Sequence, residues 1–245
     1  ARDADEAQAL VAHHAADGVD LLKTYTNVSV ATYGALAAEA SRHGLLVAGH
    51  LPVRVPLGMA IAAGQHSVEH PRIFLFECYR GAAGFRALPD PIAAYTADMR
   101  LRFIDEHDPV RCAELMAAMA ASDTWWTPTL QVLRMSALAG NREFREDPRR
   151  RYIPFILWAG LWQPDADRAA AHARHASGRD VDAELYRLAM DNVRQAHAAG
   201  VRIVAGTDAG DTYVFPGFAI HDELAELVRA GLAPTDALRS ATIDA

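Results

Sequence analysis

Four residues that can bind a metal or transfer a proton lie at the ends of predicted strands. Lys23, His50 and His70 each close a short apolar run, and Asp208 follows another such run. Imidazole and carboxylate groups are ligands that zinc prefers at catalytic sites. One such residue at a strand end is usually structural, but four at successive strand ends indicate a shared site. The sequence therefore predicts metal-assisted chemistry at the edge where these strands end.

Lys23 is the exception in this set, because an ammonium group repels a metal ion. It is the only lysine among the 24 basic residues of the chain. A neutral lysine amine in an apolar environment can add carbon dioxide and become a carbamate, an anion able to bridge two metals, whereas arginine cannot do so. We therefore interpret Lys23 as a carbamate ligand, with a lysine left at this position by chance as the alternative.

Short apolar runs alternate with segments of helical periodicity, a pattern typical of a parallel sheet covered by helices. The predicted strands are residues 19–23, 45–49, 66–70, 125–130 and 201–205. The predicted helices are residues 4–17, 29–44, 56–63, 91–106, 108–121, 181–199, 220–230 and 234–243. Each strand is followed by a helix or a long helical excursion, so the class is α/β.

The absence of GxGxxG after the first strand argues against a dinucleotide-binding fold. The remaining common architecture is a (β/α)8 TIM barrel, whose catalytic residues collect at the C-terminal ends of the strands. Five strands occupy a length that normally holds eight. We therefore expect residues 1–245 to form the C-terminal part of one barrel domain, roughly strands 4 to 8, with helical insertions at about 71–122 and 131–180.

Five segments resemble, in order, strands 4 to 8 of the amidohydrolase superfamily, above all its imidazolonepropionase- and prolidase-like branch. They are GVDLLKTYTN, GLLVAGHLP, HSVEH, TWWTPTL and VRIVAGTDAG, and the tail FPGFAIHDELAELVRAGLAPTDALRSAT is also typical of that branch. By this resemblance Lys23 corresponds to the carbamylated bridging lysine, and His50 and His70 to the histidines of the second metal. Asp208 corresponds to the aspartate that binds the first metal and transfers the proton.

The resemblance also concerns two residues outside the ligand set. His221 resembles a histidine that this branch keeps near the substrate, with an exposed first-turn helix residue as the alternative. Tyr25, two residues after Lys23, can reach the same site or simply pack on a loop. The implied cofactors are one or two zinc ions and carbon dioxide as the lysine carbamate.

The chain departs from the family pattern at its start. The HxH pair of strand 1 is absent, and His13-His14 lies on a predicted helix, where adjacent side chains diverge by about 100°. We expect strands 1 to 3 to lie upstream and both ends of the chain to be cuts in a longer protein. Because we read the N-terminus as a cut, the localisation stays open, and both a cytoplasmic and an exported protein are possible.

The resemblance implies hydrolysis of a C–N bond in a small-molecule amide, cyclic amide or dipeptide-like substrate. A metal-activated hydroxide would attack, and Asp208 would pass its proton to the leaving nitrogen. A deaminase or phosphotriester-type hydrolase on the same barrel and a catalytically inactive binding module are the alternatives. Whether the protein forms a homo-oligomer stays open.

Composition limits the other partners. The net charge is −7, and the cationic run Arg149–Arg151 has acidic neighbours, so we expect no nucleic-acid partner. No apolar run approaches the ~20 residues needed to span a bilayer. Cys78 and Cys112 lack a CxxC arrangement, so we expect free thiols and neither a disulfide nor a structural zinc site.

Overall fold

Short parallel strands form the centre of the computed structural model, which describes all residues from 1 to 245. The strands are β1 (Leu21–Thr24), β2 (Leu46–Gly49), β3 (Ser67–Glu69) and β4 (Trp125–Thr127). β1 pairs with β2 and β3 pairs with β4, both in parallel. Isolated parallel bridges join His50 to Glu69 and Trp126 to Ile203. The spatial order therefore follows the chain.

The predicted order and direction of the strands are confirmed, but two predicted extents are wrong. Residues 201–205 do not form a strand and contribute only the bridge at Ile203, because their pairing is limited to Trp126 on one side and Ala205 N then turns to donate to Ser240 O at 2.9 Å. The strand predicted at 125–130 ends at Thr127, since Leu130 already begins a helix. The sheet is open at both edges, so these residues form no closed barrel.

Fourteen α-helices surround the strands. They are α1 (Ala4–Ala16), α2 (Val30–Arg42), α3 (Leu57–Ala62), α4 (Arg72–Glu77), α5 (Ala82–Arg86), α6 (Ala97–Asp105), α7 (Pro109–Ala120), α8 (Leu130–Leu138), α9 (Arg142–Arg145), α10 (Phe155–Leu157), α11 (Gln163–His172), α12 (Val181–Ala198), α13 (Ala219–Arg229) and α14 (Pro234–Ser240). A 3₁₀ turn spans Pro148–Tyr152, and a π-helical turn spans Trp158–Trp162. None of the helices is both long and apolar enough to cross a bilayer.

The helix starts follow local capping signals. Ser29 Oγ accepts a hydrogen bond from Thr32 N at 3.1 Å and begins α2, as predicted. Asp108 caps α7 and is followed by proline at the first helical position. The helix predicted at 91–106 is shorter, because Thr96 accepts from Met99 N at 3.3 Å and begins α6 at residue 97.

The main core lies between the strands and the long helix α12, which packs against α4, α6, α7 and α8. Val68 and Trp126 point into this core from adjacent strands, and the Trp126 ring lies 4.7 Å from that of Phe74. A second, smaller core is built around Trp162, Tyr213 and Phe215. It ties the helical segment after β4 to the loop that follows residue 205.

A disulfide joins Cys78 at the end of α4 to Cys112 in α7, so the prediction of free thiols is wrong. The chain reverses direction between the two residues: Asp108 N donates to Cys78 O at 2.8 Å, and Tyr79 forms an antiparallel bridge with His107. This reversal brings the two Cα atoms to 4.7 Å. A separation of 34 residues in the sequence gives no sign of it.

Candidate metal centre

His50, Glu69 and His70 converge where β2 and β3 end. The two Nε2 atoms of His50 and His70 are 3.1 Å apart. Glu69 Oε2 lies 3.5 Å from His50 Nδ1 and 3.9 Å from His70 Nε2. One potential ligand atom from each residue lies within 4.8 Å of the other two. Two imidazoles and a carboxylate therefore point at one small volume.

Two residues with positive φ angles, Gly49 and His70, allow these side chains to lie close together. Gly49 has φ of 107°, and a Cβ placed on it would lie only 2.7 Å from Lys23 Cγ. Glycine thus allows β2 to come close to the lysine side chain just before His50. His70 has φ of 77°, and it is held by bonds from its N to Thr127 O at 2.8 Å and from Trp126 Nε1 to its O at 3.0 Å. A left-handed histidine fixed in this way is typical of a functional position.

The His70 imidazole is held in its neutral form. Burial, together with the neighbouring His50, lowers its pKa to about 4, although the charge of Asp208 opposes the shift. The Nδ1 atom of His70 lies 2.8 Å from Thr129 Oγ1. When Nδ1–H donates to that hydroxyl, the lone pair of Nε2 faces His50 and Glu69.

Glu69 is a candidate ligand that the sequence analysis missed. Burial alone would raise its pKa, but the neighbouring His50 and the Lys23 ammonium outweigh this and bring the pKa to about 2. Lys23 Nζ lies 2.9 Å from Glu69 Oε2. The signal in the sequence was an acidic residue inside a very short strand, directly before His70.

Lys23 and Tyr25 both lie next to the histidine pair. The Lys23 side chain is 54% exposed and paired with Glu69, so it is not the desolvated amine that the sequence analysis expected. The Tyr25 ring lies 4.3 Å from the His50 ring, and the residue is 65% exposed. Tyr25 therefore borders the site on its solvent side.

The structure leaves Asp208 and His221 farther out. Asp208 is exposed on the loop after residue 205, with φ of 57°, and its charge raises the pKa of His70. It nevertheless lies outside the group formed by His50, Glu69 and His70. His221 is exposed in the first turn of α13 and does not line the cavity beside the histidines.

A cavity of about 140 Å³ opens beside His50 and His70. The chain segment between α4 and α6 supplies much of its wall. Its apolar lining includes Leu51, Ile73, Phe76, Phe85, Ile92 and Tyr95. An apolar cavity with a few converging polar groups is the common form of a small-molecule site.

The residues at this site fit a divalent metal ion. His50 Nδ1 is buried without a hydrogen-bond partner, although Glu69 lies 3.5 Å away. The Nε2 atoms of His50 and His70 are 3.1 Å apart, and two lone pairs at this distance cannot form a hydrogen bond with each other. A cation bound by both nitrogens would satisfy both lone pairs. This donor set, two imidazoles and a carboxylate, is one that zinc binds in catalytic sites.

The fold resembles those of amidohydrolase-type proteins. The bottromycin amidohydrolase is 27% identical, with a TM-score of 0.73, over 98% of this chain and 48% of that one. A Xaa-Pro dipeptidase is 20% identical with a TM-score of 0.52, over 100% of this chain and 47% of that one. The A. niger ochratoxinase is 19% identical with a TM-score of 0.54, over 98% of this chain and 43% of that one. No family model and no curated protein matches the sequence.

These likenesses support a fold of the amidohydrolase type. The chain spans about half the length of the solved structures that it resembles. The likeness to the Xaa-Pro dipeptidase and to the ochratoxinase, both below 25% identity, concerns the fold alone. The open parallel sheet with its helices is compatible with part of a TIM barrel.

Proposed function

We propose that this chain supplies part of the active site of a zinc-dependent hydrolase of amide, cyclic amide or peptide-like C–N bonds. The observation that carries the proposal is the convergence of His50, Glu69 and His70 at the C-terminal ends of adjacent parallel strands. The likeness to the bottromycin amidohydrolase over nearly the whole chain supports the same class of reaction. We further propose that residues 1–245 belong to one barrel domain, with helical insertions at about 71–122 and 131–180.

The two histidines would hold the metal through neutral imidazoles. His70 is suited to this because its pKa is low and Thr129 fixes the orientation of its ring. A zinc ion bound here would supply an activated water and polarise the substrate carbonyl. The apolar cavity beside the histidines would exclude other water and orient the amide.

Lys23 would enter the ligand set as a carbamate. The ammonium would first lose a proton to water, and the free amine Nζ would attack the carbon of carbon dioxide. An N–C bond would form as one C=O π bond opens to an oxyanion, and a second amine proton would pass to water. This step requires the ion pair between Lys23 and Glu69 to open. The product is an anion beside an ionised Glu69, so the added negative charge must be balanced by metal.

Asp208 would transfer the proton of the reaction. Its carboxylate lies on the loop beside His70, is exposed, and acts on His70 electrostatically. In the proposed reaction it accepts a proton from the attacking water and delivers it to the leaving nitrogen. Tyr25, beside the His50 ring, would contact the substrate from the solvent side.

The test measures zinc content and amide hydrolysis in the complete protein, loaded with zinc in bicarbonate buffer. We expect His50→Ala and His70→Ala to lose bound zinc and activity together. The matched control is His66→Ala, because His66 is an exposed histidine at the opposite end of β3. Full zinc occupancy in both His50→Ala and His70→Ala would overturn the proposal.

Lys23→Arg tests the carbamate separately. Arginine keeps the positive charge and can still pair with Glu69, so the fold should persist, but guanidinium cannot add carbon dioxide. We expect this variant to lose zinc stoichiometry and hydrolysis together. Two tightly bound zinc ions in the arginine variant would remove the carbamate from the mechanism and leave the histidine site standing.

A further inference from the structure

We infer that Arg72 selects substrates that carry a carboxylate close to the bond that is hydrolysed. The inference rests on the proposed function and names the substrate class of the same site. Arg72 is the first residue of α4, two positions after His70, and its side chain lines the cavity beside the histidines. It is the only arginine or lysine in the lining of that cavity.

The charge of Arg72 is not compensated within the protein. The other two charged residues of the cavity lining are both paired, Glu69 with Lys23 at 2.9 Å and Glu77 with Arg86 at 2.5 Å. Arg72 has no carboxylate within 4.0 Å, and its side-chain partner is Tyr95. Arg72 lowers the pKa of two carboxyl groups, those of Asp182, which is paired with Arg100, and Asp211.

The Tyr95 ring positions the Arg72 guanidinium and leaves it able to bind a ligand. Its carbon lies 5.7 Å from the centre of the Tyr95 ring, close enough for a cation–π contact. A guanidinium has several N–H donors, so the contact with Tyr95 leaves most of them available. These donors match the two oxygens of a carboxylate, which a guanidinium binds through two parallel hydrogen bonds.

The other residues that line the cavity indicate which substrate group lies next to the carboxylate. Phe76 and Phe85 pack with rings 5.4 Å apart, and Phe76 and Tyr95 lie 5.6 Å apart. Ile73 and Ile92 complete an apolar wall on the same side as Arg72. The substrate class is therefore an amide in which one part carries both a carboxylate and an apolar or aromatic side chain. The matching neutral carboxamide would leave Arg72 without an anionic partner.

The experiment compares two probes, N-acetyl-L-phenylalanine and N-acetyl-L-phenylalaninamide. They share the aromatic side chain and differ in charge. Binding of each to the zinc-loaded complete protein is measured by titration calorimetry, which needs no turnover. We expect the wild type to bind the carboxylate at least about tenfold more tightly than the carboxamide. Arg72→Gln should abolish that preference, and Arg72→Lys should keep part of it.

Arg187→Gln is the matched control, because Arg187 is an exposed arginine on α12 that lines none of this cavity. It should keep the full preference. The inference is overturned if the wild type shows no preference, or if the preference survives in Arg72→Gln, as it would if zinc alone bound the carboxylate. If the protein prefers the carboxylate probe through Arg72 but hydrolyses no amide, the proposed function is overturned and this inference stands. If the protein hydrolyses charged and neutral amides equally well, this inference is overturned and the proposed function stands.

Discussion

Removing the disulfide between Cys78 and Cys112 should destabilise the protein substantially. Both residues are completely buried, and the bond closes a segment whose ends are 34 positions apart. A cross-link around a loop of about 35 residues stabilises by about 4 kcal/mol at 25 °C in the chain-entropy model. The closed segment carries Phe85, Ile92 and Tyr95, which line the cavity beside the histidines. The bond therefore stabilises one wall of the proposed substrate site.

The assay is urea unfolding with and without a phosphine reductant, for the wild type and for the double variant Cys78→Ala/Cys112→Ala. With a slope of about 2–3 kcal/mol per molar urea, a loss of about 4 kcal/mol moves the midpoint down by about 1–2 M. Reduction should lower the midpoint of the wild type and leave the double variant unchanged. Two reactive thiols in the urea-unfolded, unreduced wild type would refute the bond, and with it the argument.

Two further variants test the surroundings of the site. Thr129→Ala removes the hydroxyl that lies 2.8 Å from His70 Nδ1, so zinc affinity in a competition titration should fall by about 10–100-fold, whereas Thr129→Ser should keep it. Glu223 accepts from Leu130 N at 2.8 Å, and burial raises its pKa from 4.5 to about 7 despite this bond. Between these pH values the unfolded chain holds fewer protons at this group than the folded one, so stability should fall by about 3 kcal/mol as pH rises from 4.5 to 7. Glu223→Gln cannot titrate, and unfolding measured across this range should show a correspondingly flatter profile; an unchanged profile would exclude Glu223 as the cause.

Much of the fold could be predicted because its signals are local. Apolar runs of four or five residues located the strands, and Ser29 and Asp108 marked helix starts by their capping side chains. The rule that parallel strands present their C-terminal ends on one side brought Lys23, His50 and His70 together. These three side chains do lie in one place in the structure.

The missed features depend on contacts that the sequence does not encode locally. The disulfide follows from a chain reversal at Tyr79 and His107, far from any cysteine motif. Glu69 was overlooked because only residues that close or follow a predicted strand were considered, and the predicted strand 66–70 extended one residue past Glu69, the last strand residue in the structure. Asp208 was expected among the ligands, yet the loop after residue 205 leaves it exposed and outside the group.

The charges at the site lead to a last prediction about the order of carbamate formation and metal binding. Without metal, the ammonium of Lys23 and the carboxylate of Glu69 neutralise each other at 2.9 Å. Converting Lys23 to a carbamate replaces one positive charge by a negative one, so this pair changes from neutral to a net charge of about −2, which matches one divalent cation. Without that cation the two anions would repel each other in a half-buried site. We therefore expect ¹³C-bicarbonate to give a lysine carbamate resonance only in zinc-loaded protein, with the resonance missing from Lys23→Arg. A carbamate signal of equal intensity in the metal-free protein would show that the ion pair does not oppose the modification, and the coupling between carbon dioxide and metal would have to be abandoned.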